Sequence, residues 1–442
     1  MRQNISECAV RSITCQTFVT QSGRVTGVAG NIIHVHGLSD ESCCGDRITI
    51  SAKTGALNGE IVRLTASEAI VLVPQGAGVA IGDRVRSHGA QFFAPADHWI
   101  GRVIDPDGRP LDGRPLLQGI DSYDINMAPP LANKRRSLGA RLETGYAVFN
   151  TILPIVQGQR VGLFAGSGVG KSTLLAGLAR GIEADVIVMA LVGERGREVQ
   201  HFVQDVLGSK GMERSVVVAA TSDQPAQVRR RCAASAMSVA EFFRDQGKQV
   251  LLLVDSVTRF CEAHRELAVA GGEQANLRGY PASTGPAIAS LCERAGPGCD
   301  GQGDITAVFS VLVAGSDMDE PVADMLRGVL DGHIVLSREI AERGRFPAVD
   351  ILRSVSRALP DAANEMENGL INAARRLFSA HDRSDLMIKA GLYEVGKDQD
   401  TDQAVACFAA LDSFVSIQDT RMTITHFAKL RQAMAPTGAV QR

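Results

Sequence analysis

The chain has no uninterrupted apolar run of the roughly 20 residues that a helix needs to cross a bilayer. Its opening residues, MRQNISECAVRSITCQTFVT, scatter polar positions among apolar ones and lack the continuous apolar segment of a secretory leader. Both absences point to a protein made and kept in the cytoplasm, free to dock on a membrane periphery. Charge of one sign is also missing. Lys and Arg number 46 against 49 Asp and Glu, a net charge of −3, so no global basic field advertises nucleic acid. Aromatic residues make up only 5%, with a single Trp, which argues further against a stacking groove for nucleic-acid strands. The nine cysteines are scattered, and the close pairs Cys43-Cys44 and Cys292/Cys299 lack the CxxC or Cys/His spacing of a zinc site. They read as reduced thiols rather than a disulfide framework.

What is present is core material: 45% hydrophobic residues in 442, enough for two or three domains. From Val25 to about Arg86, short alternating segments (GRVTGVAGNIIHVHGL, GDRITI, GEIVRLTA, EAIVLVP, GDRVRS) are punctuated by Gly, Asn and Asp, the pattern of a small barrel or sandwich. GRVIDPDGRPLDGRP, Gly101 to Pro115, is too rich in Gly, Pro and Asp for a regular element and reads as a connection. From about Ala140 to Pro360, continuously apolar runs alternate with helical stretches, which predicts a parallel sheet covered on both faces. After Pro360, ENGLINAARRLFSAH and DQAVACFAALDSFVSI carry apolar residues at helical spacing. The first twenty residues, neither leader nor core, read as a partner-binding or self-assembly segment.

GLFAGSGVGKSTLL, Gly162 to Leu175, joins an apolar strand to a helix start through clustered glycines. Glycines let backbone N–H groups turn inward around phosphate oxygens, and the helix N-terminus adds positive potential. The loop comprises Ala165, Gly166, Ser167, Gly168, Val169, Gly170, Lys171, Ser172 and Thr173, with Ala165 where a first Gly is usual. Lys171 is placed to reach the β- and γ-phosphates of a nucleotide and the Ser172 hydroxyl to coordinate Mg²⁺. Asp255 closes the apolar strand QVLLLVDS, either as a second residue toward the metal or as a helix cap. Glu194 and Arg195 follow another buried strand in MALVGERGREV. Glu194 is the candidate general base for hydrolysis; the alternative is a solvated carboxylate in a charged run. Arg353 and Arg357, in FPAVDILRSVSRALP, are candidates for a transition-state cation supplied by a neighbouring subunit, or are surface arginines.

Taken together, GSGVGKST, GERGREV, LLLVDSVTRF, DEPVADMLRGVLDGHIVLSR and the full run PAVDILRSVS resemble the α/β-type ATPase family that includes the rotary ATP synthase catalytic subunits. GQRVGLFAGSGVGKSTLL and ALVGERGREVQHF are most similar to its export branch, the ATPases of flagellar type III export. The resemblance implies an α/β fold: a RecA-like P-loop core with a parallel sheet over residues 96–360, preceded by a small β-barrel over 23–95 and followed by a helical domain over 361–442. Residues 1–22 are left as the assembly segment. It implies a homohexamer around a pore that hydrolyses ATP with Mg²⁺ to energise protein export for flagellar assembly. Its implied partners are the stalk and regulator proteins of the apparatus, export substrates with their chaperones, and the export gate at the inner membrane, not nucleic acid. It also assigns the residues. Lys171 and Ser172 hold phosphate and metal, Glu194 is the catalytic carboxylate, Asp255 the second metal residue and Arg357 the arginine finger; Arg195 lies near the γ-phosphate, and Phe346 stacks on adenine. A virulence injectisome ATPase shares every one of these residues. A hexameric nucleic-acid translocase is disfavoured by the charge balance, and a noncatalytic rotary subunit by Glu194. The stretch GGEQANLRGYPAST departs from the family in lacking its usual prolines, so the conformation of that loop is not carried over.

Overall fold

Short strands, most of them alternating between buried and exposed residues, close the first unit. The structure, a computed structural model, describes residues 21–38, 42–74, 78–89, 93–313, 318–419 and 422–435, so nearly all of the proposed N-terminal assembly segment lies outside it. Strands β1 (Ser22–Ala29), β2 (Ile32–His36), β3 (Arg47–Ala52), β4 (Gly55–Leu64), β5 (Ala69–Leu72) and β6 (Arg84–Gly89) form a closed barrel in the order β1-β2-β5-β4-β3-β6. Every second residue points inward, and Val25, Ile33, Val35, Ile48, Ile50, Ile61, Val71 and Val85 fill the interior.

The second unit is built around strands whose central residues are apolar on both faces. β7 (Arg102–Ile104), β8 (Arg160–Ala165), β9 (Val186–Glu194), β10 (Ser215–Thr221), β11 (Val250–Asp255), β12 (Gly296–Pro297), β13 (Asp304–Leu312), β14 (Gly332–Leu336) and β15 (Val349–Ser356) share one sheet. Its order is β15-β14-β8-β13-β11-β9-β10-β7, with β12 beside β13. Pairing from β14 to β7 is parallel, and β15 runs antiparallel at the edge. Successive residues feed opposite faces. Ile187, Met189 and Leu191 join the core that holds the Lys171–Gly181 helix and the C-terminal helices, while Val186, Val188 and Ala190 join the core under the Ala226–Asp245 and Val257–Ala270 helices. That is why these strands read as unbroken apolar runs.

One expectation fails. The connection Gly101–Pro115 contains a regular element after all, since Arg102–Ile104 pairs with Val216–Val218 as edge strand β7. Three residues carry too little periodicity to be seen in sequence; the open edge of β10 recruits them. Arg102, 8% exposed, is then held by Asp112 through Nε at 2.6 Å and Nη2 at 2.7 Å.

The run PAVDILRSVS is a built irregularity. The register steps from Val335 opposite Asp350 to His333 opposite Val355, a wide bulge in β15. Asp350 accepts the N–H groups of Leu352 and Arg353 at 3.0 and 3.1 Å, and Ser354 Oγ accepts the N–H of Val335 at 2.9 Å. These side chains replace the ladder bonds that the bulge removes. Beyond the sheet lie the helices Glu365–Lys389, Gln399–Val415 and Thr423–Ala433, the first closed by a capping box between Asn364 and Glu367. The loop lacking the family prolines is fixed by Glu273, which accepts from Ser283 N at 2.9 Å and Ser283 Oγ at 2.6 Å. Among the described residues no helix is long and apolar enough to cross a membrane.

The Lys171–Gly181 helix is seated by a close approach. A Cβ on Gly177 would overlap the hydroxyl of buried Tyr146 and lie 2.6 Å from its Cζ. Gly to Ala in an open helix interior stabilises by about 0.5–1 kcal/mol; here overpacking costs about 1–3 kcal/mol and decides the sign. Gly177→Ala is therefore expected to lower the melting temperature, and Tyr146→Phe in the same background to recover part of the loss. A higher melting temperature for Gly177→Ala alone would contradict this seat.

Candidate active site

The parallel order brings the candidate residues to one edge of the sheet. β8, β11 and β9 end there, with β13 between β8 and β11, so the loop after β8, Asp255 and Glu194 are neighbours although far apart in sequence. Ala165 is the last residue of β8, buried and paired with Leu312 and Leu336, so the position accepts a Cβ. Gly168 and Gly170 have φ of 79° and 89°, in the left-handed region where glycine is needed. Gly170 is the N-cap of the Lys171–Gly181 helix, and Ser172 and Thr173 are exposed on its first turn. This end presents backbone N–H groups and the helix dipole to an anion.

Lys171 Nζ forms an ion pair with Asp255 Oδ1, and both side chains are close to fully buried. Ser310 Oγ, from the middle of β13, donates to the same oxygen at 2.6 Å. The helix-cap alternative for Asp255 is settled by its neighbour, because Ser256 caps the Val257–Ala270 helix and accepts the Arg259 N–H. Asp255 is thus free to face the phosphate loop. Its carboxylate and the Ser172 hydroxyl are hard oxygen donors, and among the described residues no cluster of three or more His, Cys, Asp or Glu forms a protein-only cage. This donor set fits Mg²⁺, which typically takes one or two protein oxygens and completes its shell with phosphates and water.

Glu194 is half-buried, unlike the exposed Arg195 and Arg197 beside it. Burial, a hydrogen bond with Glu198 and the nearby Asp255 charge push its carboxyl up to about 8, against the pull of Lys171. Glu198 moves the other way, mainly through the same hydrogen bond. A hydrogen bond between two carboxyl groups needs a proton on one of them, and the opposite shifts favour it on Glu194. Arg195 points along the surface, with Nη1 3.3 Å from Glu198 Oε1.

Phe346 is half exposed and lies over the phosphate loop, where a Cβ on Gly170 would come within 3.3 Å of its Cδ1. Arg357 is not brought to this edge. Its backbone N–H bonds Asp331 O, Asp331 pairs with Arg160, and Nη2 bonds Arg327 O at 3.1 Å. Arg160 starts β8 five residues before Ala165, about 16 Å lower at 3.3 Å per residue. Arg353 is exposed on the bulge, 3.7 Å from Asp350. Sequence reading missed Ser310 and Glu198. A hydroxyl near the C-terminal end of the apolar run ITAVFSVL was the available sign of Ser310; nothing marked Glu198 apart from its place four residues after Glu194.

Comparison with known proteins agrees with this geometry. The model for the ATP synthase alpha/beta family, nucleotide-binding domain, matches residues 145–356, and that for the T3SS EscN ATPase C-terminal domain matches 364–435. The flagellum-specific ATP synthase of Caulobacter vibrioides is 42% identical over 90% of this chain and 92% of its own. The SPI-2 type 3 secretion system ATPase of Salmonella typhimurium is 41% identical over 85% of each. Among solved structures, the assembled ATPase EscN of the enteropathogenic E. coli type III secretion system superposes with a TM-score of 0.87 at 33% identity, over 93% of this chain and all of that one. The same protein in complex with its central stalk EscO gives 0.83, with the same identity and coverage. The chain is an ATPase of the ATP synthase alpha/beta family and belongs to the group formed by the flagellum-specific and type III secretion ATPases.

Proposed function

We propose that this ATPase works as a homohexameric ring that energises type III protein export for flagellar assembly, each active site being completed by Arg357 of a neighbouring subunit. The observation that carries the shared site is the separation of Arg357 from Lys171. An arginine about one sheet height below its own phosphate loop cannot reach the γ-phosphate there, yet it is exposed and available to another copy. The assembled state of EscN and its complex with a stalk support the same architecture, with a stalk protein as partner. Regulators, export substrates with their chaperones, and peripheral docking at the inner-membrane export gate complete the proposed setting. The flagellar assignment rests on the flagellum-specific relatives at about 40% identity over most of the chain.

In the proposed chemistry, backbone N–H groups of the loop and Lys171 bind the β- and γ-phosphates. Ser172 and Asp255 would hold Mg²⁺, which when bound supplies charge neutralisation at the phosphates. Glu194 orients the attacking water and takes its proton; Glu198 and Asp255 raise its basicity for that task. Phe346 stacks on the adenine, and the neighbour's Arg357 meets the charge that develops on the transferred group.

Glu194→Gln is expected to cut turnover on the order of 10²–10⁴-fold while ATP affinity is retained, and to leave cells carrying it as their only copy without flagellar filaments. Retained turnover would remove Glu194 as the base, and filamentous cells that fail in effector secretion would move the role to an injectisome. The pH profile gives an independent check. Glu194 works as the carboxylate, so kcat/KM rises with pH as its proton leaves, with an acid limb well above the ordinary carboxylate range. Glu198→Gln removes a group that favours the proton on Glu194 and should move that limb to lower pH. An unmoved limb, or one shifted to higher pH, would contradict the assignment.

A further inference from the structure

Phe346 is carried on a short segment between the Arg338–Glu342 helix and β15, and an exposed ring on such a segment needs something to hold it over the loop. Arg345, the preceding residue, is only 8% exposed. Its Nη1 donates to Pro347 O at 3.1 Å and its Nη2 to Val349 O at 2.9 Å. The guanidinium therefore fixes the backbone on both sides of Ala348, immediately after the ring. Its Nε lies 3.2 Å from Asp412 Oδ1, an ion pair whose N–H is not aligned as a hydrogen bond. Asp412 belongs to the Gln399–Val415 helix, whose Leu411, Phe414 and Val415 are packed into the same core as β8 and β9. The counter-charge for a nearly buried arginine beside the nucleotide site thus comes from the C-terminal helical region. A planar fork that donates to two carbonyls while its Nε side faces a carboxylate is the geometry that Arg, and not Lys, provides.

We infer that Asp412 is a positioning residue for nucleotide binding: it fixes Arg345, Arg345 fixes the backbone from 345 to 349, and that backbone presents Phe346 to the base. The inference rests on the reading of Phe346 as the adenine-stacking residue. It makes the C-terminal helices part of the binding site for the base, so that a displacement of the Gln399–Val415 helix changes ATP affinity while leaving Glu194, Lys171 and Asp255 in place. Removing the Asp412 charge leaves a nearly buried guanidinium without its ion-pair partner, held only by its bonds to Pro347 O and Val349 O.

The test is a double-mutant cycle on the full-length chain, read as KM and kcat for ATP. Asp412→Asn is expected to raise KM about fivefold, the range of coupling between residues in contact, with kcat little changed because the hydrolytic groups are untouched. Phe346→Leu is expected to raise KM as well, and the two together no further than Phe346→Leu alone. Arg345→Lys, which keeps the charge and loses the fork, should behave as Asp412→Asn does and serves in its place if that variant does not fold. An unchanged KM for Phe346→Leu overturns the adenine reading itself. If Phe346→Leu raises KM while neither Asp412→Asn nor Arg345→Lys does, the adenine reading stands and the positioning role is wrong. Effects that multiply in the double variant also overturn it, since Asp412 would then act by a route that does not pass through Phe346.

Discussion

The site depends on one ion pair, Lys171 with Asp255, formed where β8 and β11 of a covered parallel sheet end on either side of β13. Charges this well buried are tolerated only when paired and further hydrogen-bonded. Ser310 supplies that extra bond from the strand between them. Its hydroxyl sits in a strand whose neighbouring residues Val308, Phe309 and Val311 fill the two cores, so the electrostatics of the loop and the packing of the sheet are one problem. The same shielding from water holds the Glu194 carboxyl well above its ordinary range, which suits the proposed role of a base near neutral pH.

A parallel sheet also has a second edge, and the chain uses it differently. The end of β15 places Arg357 beside Asp331 and Arg160, at the foot of the strand whose other end carries the phosphate loop. The candidate phosphate ligands, base and metal donors gather at the top, and the candidate transition-state cation stands at the bottom. A single chain with this layout holds most of a catalytic site and, on the proposed reading, offers the missing part to a copy of itself. The bulge in β15 is stabilised by Asp350 and Ser354 and separates the two ends of that strand, Phe346 near one and Arg357 at the other.

Much of this was legible in the residues. Glycines at the two left-handed positions of the loop, the unbroken apolar strands, Asp255 at a strand end and the alternating barrel segments all express local rules: backbone conformation, burial on one or both faces, and turn chemistry. What escaped the sequence depends on partners distant along the chain. Arg102–Ile104 becomes a strand only because β10 has an open edge. The raised Glu194 carboxyl depends on Glu198 after the turn and on Asp255 from another strand. The placement of Phe346 depends on an arginine whose counter-charge lies on a helix 67 positions later, Arg345 to Asp412. Spacing rules cannot register such pairs, because nothing periodic links them.

Sharing of the catalytic site between copies is open to a mixing experiment. Glu194→Gln subunits and Arg357→Ala subunits are each prepared separately, combined, and assayed for steady-state ATP hydrolysis. If sites form between neighbours, mixed rings contain some sites with both an intact Glu194 and an intact Arg357, and activity returns on mixing although each variant alone is inactive. If the mixture stays as inactive as its components while mixed assemblies demonstrably form, Arg357 does not complete a neighbour's site and the shared-site account is wrong.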